Sequence, residues 1–421
     1  MTSISRLTTI LLFTFYSFIS LASLNFEDEK NSFKISPYAI RDDQRNLRVK
    51  FQLNEPAEIT LSEIDASNTS NTLLDRQYDI QLVDLFIKNK PCSPARQFRF
   101  FVNTKSGLKT EKTLQVPVEI CQESPLEKNK MNDENKILTP IIFGHVSDTQ
   151  TRSSEHLKIA KVMMNLSNSI PFNFILNTGD IVDIGGKDSQ WYDFFDTAKN
   201  YLLKIPMVAA IGNHDYYESR ENDTPELFQK YLRWDNSQKE GFYSLSFNHF
   251  ELLVFNSNLH KLSEKQKTNQ WEWLEKRLKD NFNNRKISIV SMHYPVISSS
   301  LWTITDSSSR EMKKIMIPLF EKYNVKLVLA GHTHLYERSF KNGVHYIIAG
   351  PAGGVPSVPS VKNPYMVFEK WGVSTFTMIT VGHDIVVKTF NDDGLLIDEV
   401  EIPTTQLPVS FSNNTTANIK E

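Results

Sequence analysis

Five short segments of this 421-residue chain concentrate carboxylates, imidazoles and amide oxygens. They are Ser147-Asp148-Thr149-Gln150, Gly179-Asp180-Ile181-Val182-Asp183, Gly212-Asn213-His214-Asp215, Met292-His293-Tyr294 and Gly331-His332-Thr333-His334. No thiol is among them, and such a donor set suits Mn, Fe or Zn. One cation is satisfied by fewer residues. Two cations about 3.5–4 Å apart, sharing a bridging carboxylate, need a set of this size. Such a pair lowers the pKa of a bound water and clamps the attacking and leaving oxygens of an in-line displacement. Phosphoryl chemistry needs that neutralisation of charge more than it needs a covalent nucleophile. The segments differ in weight. Gly-His-Thr-His and Gly-Asn-His-Asp are distinctive, whereas Gly-Asp is an ordinary turn dipeptide. Asp148 alone reads as a strand-end cap and His293 alone as a core histidine.

The positioning elements are also legible. Each segment directly follows an apolar, strand-like run: 141–146, 172–176, 207–211, 287–290 and 326–330. In α/β sheets the loops at the carboxyl ends of strands converge on one crevice, so far-separated segments can meet. Helical patterns intervene. One starts at Ser263 and places Trp271, Leu274 and Leu278 at i, i+3 and i+7. This alternation predicts an α/β domain over 138–402, with a hairpin turn at Asn391-Asp392-Asp393-Gly394. Ahead of it, 33–121 reads as strands. Leu47, Val49, Phe51 and Leu53 alternate with polar residues, Phe98 and Phe100 flank Arg99, and Pro117 restricts its run to an edge or strand end. A small β-sandwich is expected there. A polar stretch at 122–137 reads as a linker, and 403–421 as a polar tail.

Composition excludes less. The formal charge is −2 with no dense basic block, so no nucleic-acid partner is indicated. Arg6, the apolar run from Leu7 to Leu21 and small residues at Ser20 and Ala22 read as an export signal over 1–22. An uncleaved anchor is the alternative; cleavage leaves a mature chain with no stable membrane insertion. In an exported protein Cys92 and Cys121 close one disulfide or remain two buried thiols. Asn68, Asn165, Asn222, Asn413 and Asn414 lie in glycosylation sequons.

These segments resemble the calcineurin-like metallophosphoesterases, most nearly the purple acid phosphatase branch. The likeness spans 141–402 and is strongest where Gly-His-x-His is followed by Tyr336, Glu337 and Arg338. Residues 241–256, 270–278 and His293-Tyr294-Pro295 resemble that branch too. The resemblance implies a four-layer α/β/β/α sandwich preceded by a fibronectin type III-like β-sandwich. It implies two divalent or mixed-valence ions (Fe, Mn or Zn) with Asp148 on the first, Asp180 bridging, and Asn213, His293 and His332 on the second. His334 would return to the first metal. His214 would sit beside the leaving or non-bridging phosphate oxygen, and a hydroxide would be the nucleophile.

The departures from that branch are informative. Purple acid phosphatases place a metal-binding tyrosine three residues after the bridging aspartate, where this chain has Asp183. A protein that is not purple is expected, with Asp183 orienting His214 or serving as a turn aspartate. Gln150 stands where many relatives have histidine, and its amide oxygen is a candidate ligand. Residues 298–310 carry no histidine near the leaving group and read as a serine-rich loop. His145, His156, His249, His260, His345 and His383 match no ligand position and read as packing or surface residues. The implied function is an exported, acid phosphatase-like hydrolase of small-molecule or protein phosphomonoesters. A phosphodiesterase or nucleotide pyrophosphatase with the same centre, and a non-catalytic binding protein on this scaffold, are the alternatives.

Overall fold

A computed structural model describes residues 32–41, 46–64, 70–78, 82–88, 95–117, 139–218, 224–233 and 241–404. The leader, Cys92, Cys121, the 122–137 linker, four of the sequons (Asn68, Asn222, Asn413, Asn414) and the tail beyond Thr404 lie outside the described residues.

Seven strands come first: β1 (Phe33–Arg41), β2 (Leu47–Leu53), β3 (Ala57–Ile64), β4 (Ser70–Tyr78), β5 (Leu82–Ile87), β6 (Arg96–Thr104) and β7 (Lys109–Val116). The apolar alternation reads through: Leu47, Val49, Phe51, Leu53, Phe98 and Phe100 are all buried. β7 stops at Val116, ahead of Pro117, which has no N–H to give a ladder. β1, β2 and β5 face a separate sheet of order β4-β3-β6-β7 across a shared apolar core. Edge-on rings knit it, with Phe51 5.9 Å from Phe33 and 5.5 Å from Phe100.

The remaining elements are β8 (Ile141–Val146), α1 (Ser153–Ser169), β9 (Phe174–Asn177), α2 (Asp188–Leu202), β10 (Met207–Ala209) and α3 (Glu226–Leu232). There follow β11 (Tyr243–Ser246), β12 (Phe250–Val254), α4 (Glu264–Asn283), β13 (Ile287–Ser291), α5 (Trp302–Thr305) and α6 (Ser307–Lys322). The chain continues through β14 (Leu327–Ala330), β15 (Tyr336–Lys341), β16 (Val344–Ile348), β17 (Met366–Lys370), β18 (Thr375–Val381), β19 (Ile385–Asn391) and β20 (Leu396–Ile402). Two sheets result, of order β20-β19-β18-β8-β9-β10-β1-β2-β5 and β11-β12-β13-β14-β16-β15-β17. Period-2 alternation explains the layers. Leu252 and Val254 of β12 join the core shared with the larger sheet, while Leu253 joins the core under α4 and α6. The four-layer α/β/β/α sandwich follows. Its two sheets are pinned together where Arg338 of β15 donates to both Asp398 carboxylate oxygens of β20, at 2.6 and 2.9 Å. Tyr336 adds a third donor at 2.8 Å.

Three local readings can be compared with this architecture. α4 begins at Ser263, whose hydroxyl and Gln266 form a reciprocal capping box, and it buries Leu274 and Leu278. The turn between β19 and β20 uses Gly394 at φ +79. The serine-rich stretch 298–310, expected as a loop, is irregular through Leu301 and then forms α5 and the first turn of α6. Asp306 explains this, since its carboxylate accepts the Ser309 N–H at 2.7 Å and caps α6.

Alternation alone did not reveal how the sandwich meets the α/β part. β1 runs parallel to β10, with Ile40 opposite Met207, so the larger sheet passes through both. Tyr38 donates its hydroxyl to the Tyr231 carbonyl at 2.9 Å, and its ring lies 4.5 Å from Phe195. The buried Lys50 of β2 donates to the Lys230 and Arg233 carbonyls at 2.9 and 2.7 Å, closing the C-terminal end of α3. Burial lowers the Lys50 pKa, and Asp84 at 3.4 Å opposes that.

Two fully enclosed histidines set an acid limit on this fold. Burial pushes His145 down to about 3 and His156 down to about 4, so both are neutral in the native state. An unfolded histidine protonates near ~6.5. The unfolded chain therefore binds more protons below that pH. Stability present above ~6.5 is lost as pH falls toward 3–4, by about 1.4 kcal/mol per pH unit for each histidine. Urea unfolding at pH 7, 6 and 5 should show this decline in wild type. In His156→Gln the slope should flatten by about one histidine's share; an unchanged slope would remove His156 from this account.

Candidate metal centre

Strands β8, β9 and β10 of the larger sheet and β13 and β14 of the smaller one lead directly into the five segments. Their loops meet. Asp148 is wholly buried, accepts the His332 N–H at 3.0 Å, and lies 3.2 Å from His334 Nε2. Asp180 accepts the His214 N–H at 2.9 Å through Oδ1, and its Oδ2 lies 3.2 Å from His293 Nε2. Asn213 Oδ1 is 3.1 Å from that same nitrogen. Gln150 Nε2 lies 3.3 Å from His334 Nε2 and 3.4 Å from Asp180 Oδ2.

Backbone carbonyls aim the imidazoles. His293 Nδ1 lies 2.9 Å from the Thr178 oxygen and His334 Nδ1 lies 2.7 Å from the Val355 oxygen. Each Nδ1 donates, which makes Nε2 the nitrogen that faces inward. Potential ligand atoms of Asp180, His293 and His332 fall within 4.8 Å of one another, as do those of Asp148, Asp180 and His334. Asp180 belongs to both groups.

The backbone is unusual at the same residues. Asp148, Asp180, His332 and His334 have φ of 53, 51, 70 and 39, in the left-handed region that bulky residues avoid. Strain of this kind persists where the surroundings over-determine it, and it clusters at functional sites. Two glycines make room. A Cβ on Gly331 would strike Ser147 and Asp148, and one on Gly212 would strike Asp180.

Electrostatics follow from three enclosed carboxylates. Burial would raise the Asp180 pKa, but His293, its hydrogen bond and the other imidazoles hold it well below the carboxylate range. Burial likewise opposes ionisation of Asp148, and His334 prevails. Burial would lower His293, yet Asp180 and Asp148 lift it to about 9, whereas burial and then His293 push His332 down to about 4. Without cations the centre thus holds a proton on His293. Ionised carboxylates, inward-facing imidazole nitrogens and a buried Gln150 Oε1 with no hydrogen-bond partner suit cations in that place.

His214 is aimed by Asp183. Its Nδ1 is 2.9 Å from the Asp183 carbonyl oxygen and 3.1 Å from the carboxylate, and its Nε2 is 3.9 Å from Asp180 Oδ2. Tyr217 packs its ring 4.5 Å from that imidazole and accepts the Asn213 amide N–H at 3.2 Å.

Every residue singled out from the sequence lies in this cluster. The remaining histidines do not: His145 contacts Thr178, His156 contacts Tyr201, and His249 contacts the Val381 oxygen. The sequence reading gave no role to Asp215, which the structure makes central. It is wholly buried and accepts the backbone N–H groups of Gly212, Ile181 and Asp180 at 2.9, 3.0 and 3.1 Å. It thereby fastens the loop carrying Asp180 to the loop carrying Asn213. Burial, followed by the Asp180 charge, pushes its carboxyl up to about 7, and the backbone donors oppose this. Its place at the end of Gly-Asn-His-Asp was the available signal.

Residues 141–336 match the family model described as calcineurin-like phosphoesterase. The match takes in just under half of the chain. Similarity to individual proteins is lower. The chain is 21% identical over 324 residues to "Probable inactive purple acid phosphatase 1" of Arabidopsis thaliana, covering 67% of this chain and 52% of that protein. It is 24% identical over 205 residues to "Cyclic GMP-AMP phosphodiesterase SMPDL3A" of Rattus norvegicus, covering 42% of this chain and 45% of that protein. The chain therefore spans about half the length of these relatives. The solved purple acid phosphatase PPD1 of yellow lupin has the same fold, with a TM-score of 0.67 at 14% identity, over 87% of this chain and 74% of that one. The phosphoesterase domain and the all-β region before it are thus the architecture expected from the sequence.

Asp215→Ala should leave three or more buried N–H groups without an acceptor, each costing about 1–3 kcal/mol. Equilibrium unfolding should show a loss of at least ~3 kcal/mol together with a weakened metal affinity. A fall below ~1 kcal/mol would show that water replaces the carboxylate.

Proposed function

We propose that this chain is a two-metal phosphoester hydrolase that cleaves phosphate monoesters. The observation that carries the reading is the pair of ligand groups hinged on Asp180. Asp148, Gln150, Asp180 and His334 would hold one ion; Asp180, Asn213, His293 and His332 would hold the other. Fe, Mn and Zn all suit these donors. When bound, such a pair activates water and neutralises the charge that builds on phosphate oxygens during displacement.

The protein's own contribution is orientation and proton placement. Thr178 and Val355 hold the imidazole planes through Nδ1. Asp215 keeps the Asp180 and Asn213 loops at one spacing. His214 is the half-open member, with its side chain 27% exposed, and Asp183 fixes the ring through Nδ1. Its Nε2 is then placed to donate to the phosphate or to the departing oxygen.

Similarity to a cyclic GMP-AMP phosphodiesterase favours a second reading, diester hydrolysis by the same centre. Partner and location rest on the sequence: a small-molecule or protein phosphoester, no nucleic acid, and export through the leader. Among the described residues no helix is long and apolar enough to cross a membrane.

The mature protein should retain about two metal ions per chain and hydrolyse p-nitrophenyl phosphate faster than bis(p-nitrophenyl) phosphate. Asp180→Asn should lower kcat/KM by at least ~10²–10³-fold, the scale of losing one preorganised electrostatic contact. The opposite substrate order would transfer the assignment to a diesterase, and absence of stoichiometric metal after reconstitution would sink the hydrolase reading. Because Asp183 stands where purple relatives carry tyrosine, the iron-loaded protein should lack a visible tyrosinate charge-transfer band. A purple sample would refute the proposed ligand set.

A further inference from the structure

Tyr217 is a large aromatic side chain that stays 44% exposed beside the metal centre, so burial in a core does not explain where its ring lies. Its backbone is fixed from two sides. The Tyr217 N–H closes the single helical turn His214–Tyr216 on the His214 carbonyl at 3.0 Å, and the Tyr217 carbonyl accepts the Gly186 N–H at 2.8 Å. The Gly185 N–H reaches the His214 carbonyl at 3.0 Å. The loop after Asp183 is thereby laced to the turn that carries His214, so closely that a Cβ on Gly185 would strike the Asp215 carbonyl. Residues three and four positions apart share one face of a helical turn, and Tyr217 uses both neighbours. Its hydroxyl accepts the Asn213 Nδ2–H at 3.2 Å, and its ring lies 4.5 Å from the His214 imidazole at a tilt of 48°.

We propose that Tyr217 is a positioning residue that serves a metal ligand and the proton donor at once. The inference rests on the hydrolase reading above. Each contact meets a specific need. The last torsion of an asparagine is broad and roughly two-fold, so rotamer preference does not decide whether oxygen or nitrogen turns inward. With Nδ2 engaged by Tyr217, Asn213 Oδ1 faces His293 Nε2 at 3.1 Å, the nitrogen that Asp180 Oδ2 also approaches. The hydroxyl thus keeps the amide oxygen turned toward the place of the second ion. His214 has the complementary need. Asp183 holds its Nδ1 edge, which still lets the ring rock about that contact. A second ring packed against the imidazole limits the rocking and keeps Nε2 on its course. Groups that orient metal ligands in this way commonly change metal affinity or activity by about 10–100-fold when removed.

Two variants separate the contacts: Tyr217→Phe removes only the hydroxyl, and Tyr217→Leu removes the ring as well. The exposed position lets both fold. Titration calorimetry of the metal-free proteins with Mn²⁺ reads the first contact without turnover. Wild type should take up about two ions, and both variants should bind one of them about ten-fold more weakly and the other within about two-fold. Kinetics at saturating Mn²⁺ reads the second contact. Phenol is a more basic leaving group than p-nitrophenol and depends more on a proton donor. Tyr217→Leu should lose about ten-fold in kcat on phenyl phosphate, part of the ~10²–10⁴ that a placed acid contributes, and at most about two-fold on p-nitrophenyl phosphate. Tyr217→Phe should keep the wild-type ratio of the two esters. Unchanged Mn²⁺ affinity in Tyr217→Phe would overturn the role of the hydroxyl, and an unchanged ester ratio in Tyr217→Leu would overturn that of the ring. If wild type binds Mn²⁺ and cleaves neither ester, the hydrolase reading falls, while the titration still decides whether Tyr217 holds Asn213.

Discussion

The structure turns on the enclosure of three carboxylates, Asp148, Asp180 and Asp215, each at most 1% exposed. Buried negative charge is costly unless it is paired or hydrogen-bonded. The fold meets that requirement twice over. Asp215 is met by backbone N–H groups, and this costs nothing in side chains because the two loops it joins need donors satisfied anyway. Asp148 and Asp180 are met by imidazoles, which can give way to cations at the same positions. Positive charge therefore belongs at this centre whether protons or metals supply it. The upward push that Asp180 and Asp148 give the His293 pKa expresses the same requirement.

This constraint explains the strained backbone. Ligands from five loops can surround two points only if several turn sharply as they leave their strands. Four ligands, on three of these loops, do so in the left-handed region. The neighbouring glycines show the same crowding from the other side, since Gly331 and Gly212 have no room for a methyl group.

Much of this was legible in the sequence because strand ends and ligand types are local. The runs before each segment became β8, β9, β10, β13 and β14 within a few residues, and the donors that followed them met. What stayed hidden was non-local or ambiguous. Asp215 reads as one more polar residue, and only folding shows which N–H groups it reaches. The serine-rich stretch looked like a loop because its helix-starting signal is a single capping aspartate, Asp306. Cys92 and Cys121 lie outside the described residues, so their pairing has no structural answer here. The boundary between the two halves misled most. A polar linker implies separable bodies, whereas the pairing of β1 with β10 is a contact across more than a hundred residues that no window of sequence contains.

That pairing changes what the N-terminal strands are for. β10 leads directly into Gly212-Asn213-His214-Asp215, and β1 is its neighbour on the side away from β9. A chain beginning at residue 139 would expose β10 as a sheet edge, uncover Phe195 and Tyr231, and release the α3 carbonyls that Lys50 holds. The sandwich is thus a buttress and not a detachable module. In any lineage carrying this architecture, insertions would be tolerated on its outer β4 side, while β1 would be inherited with the metal centre as a single unit.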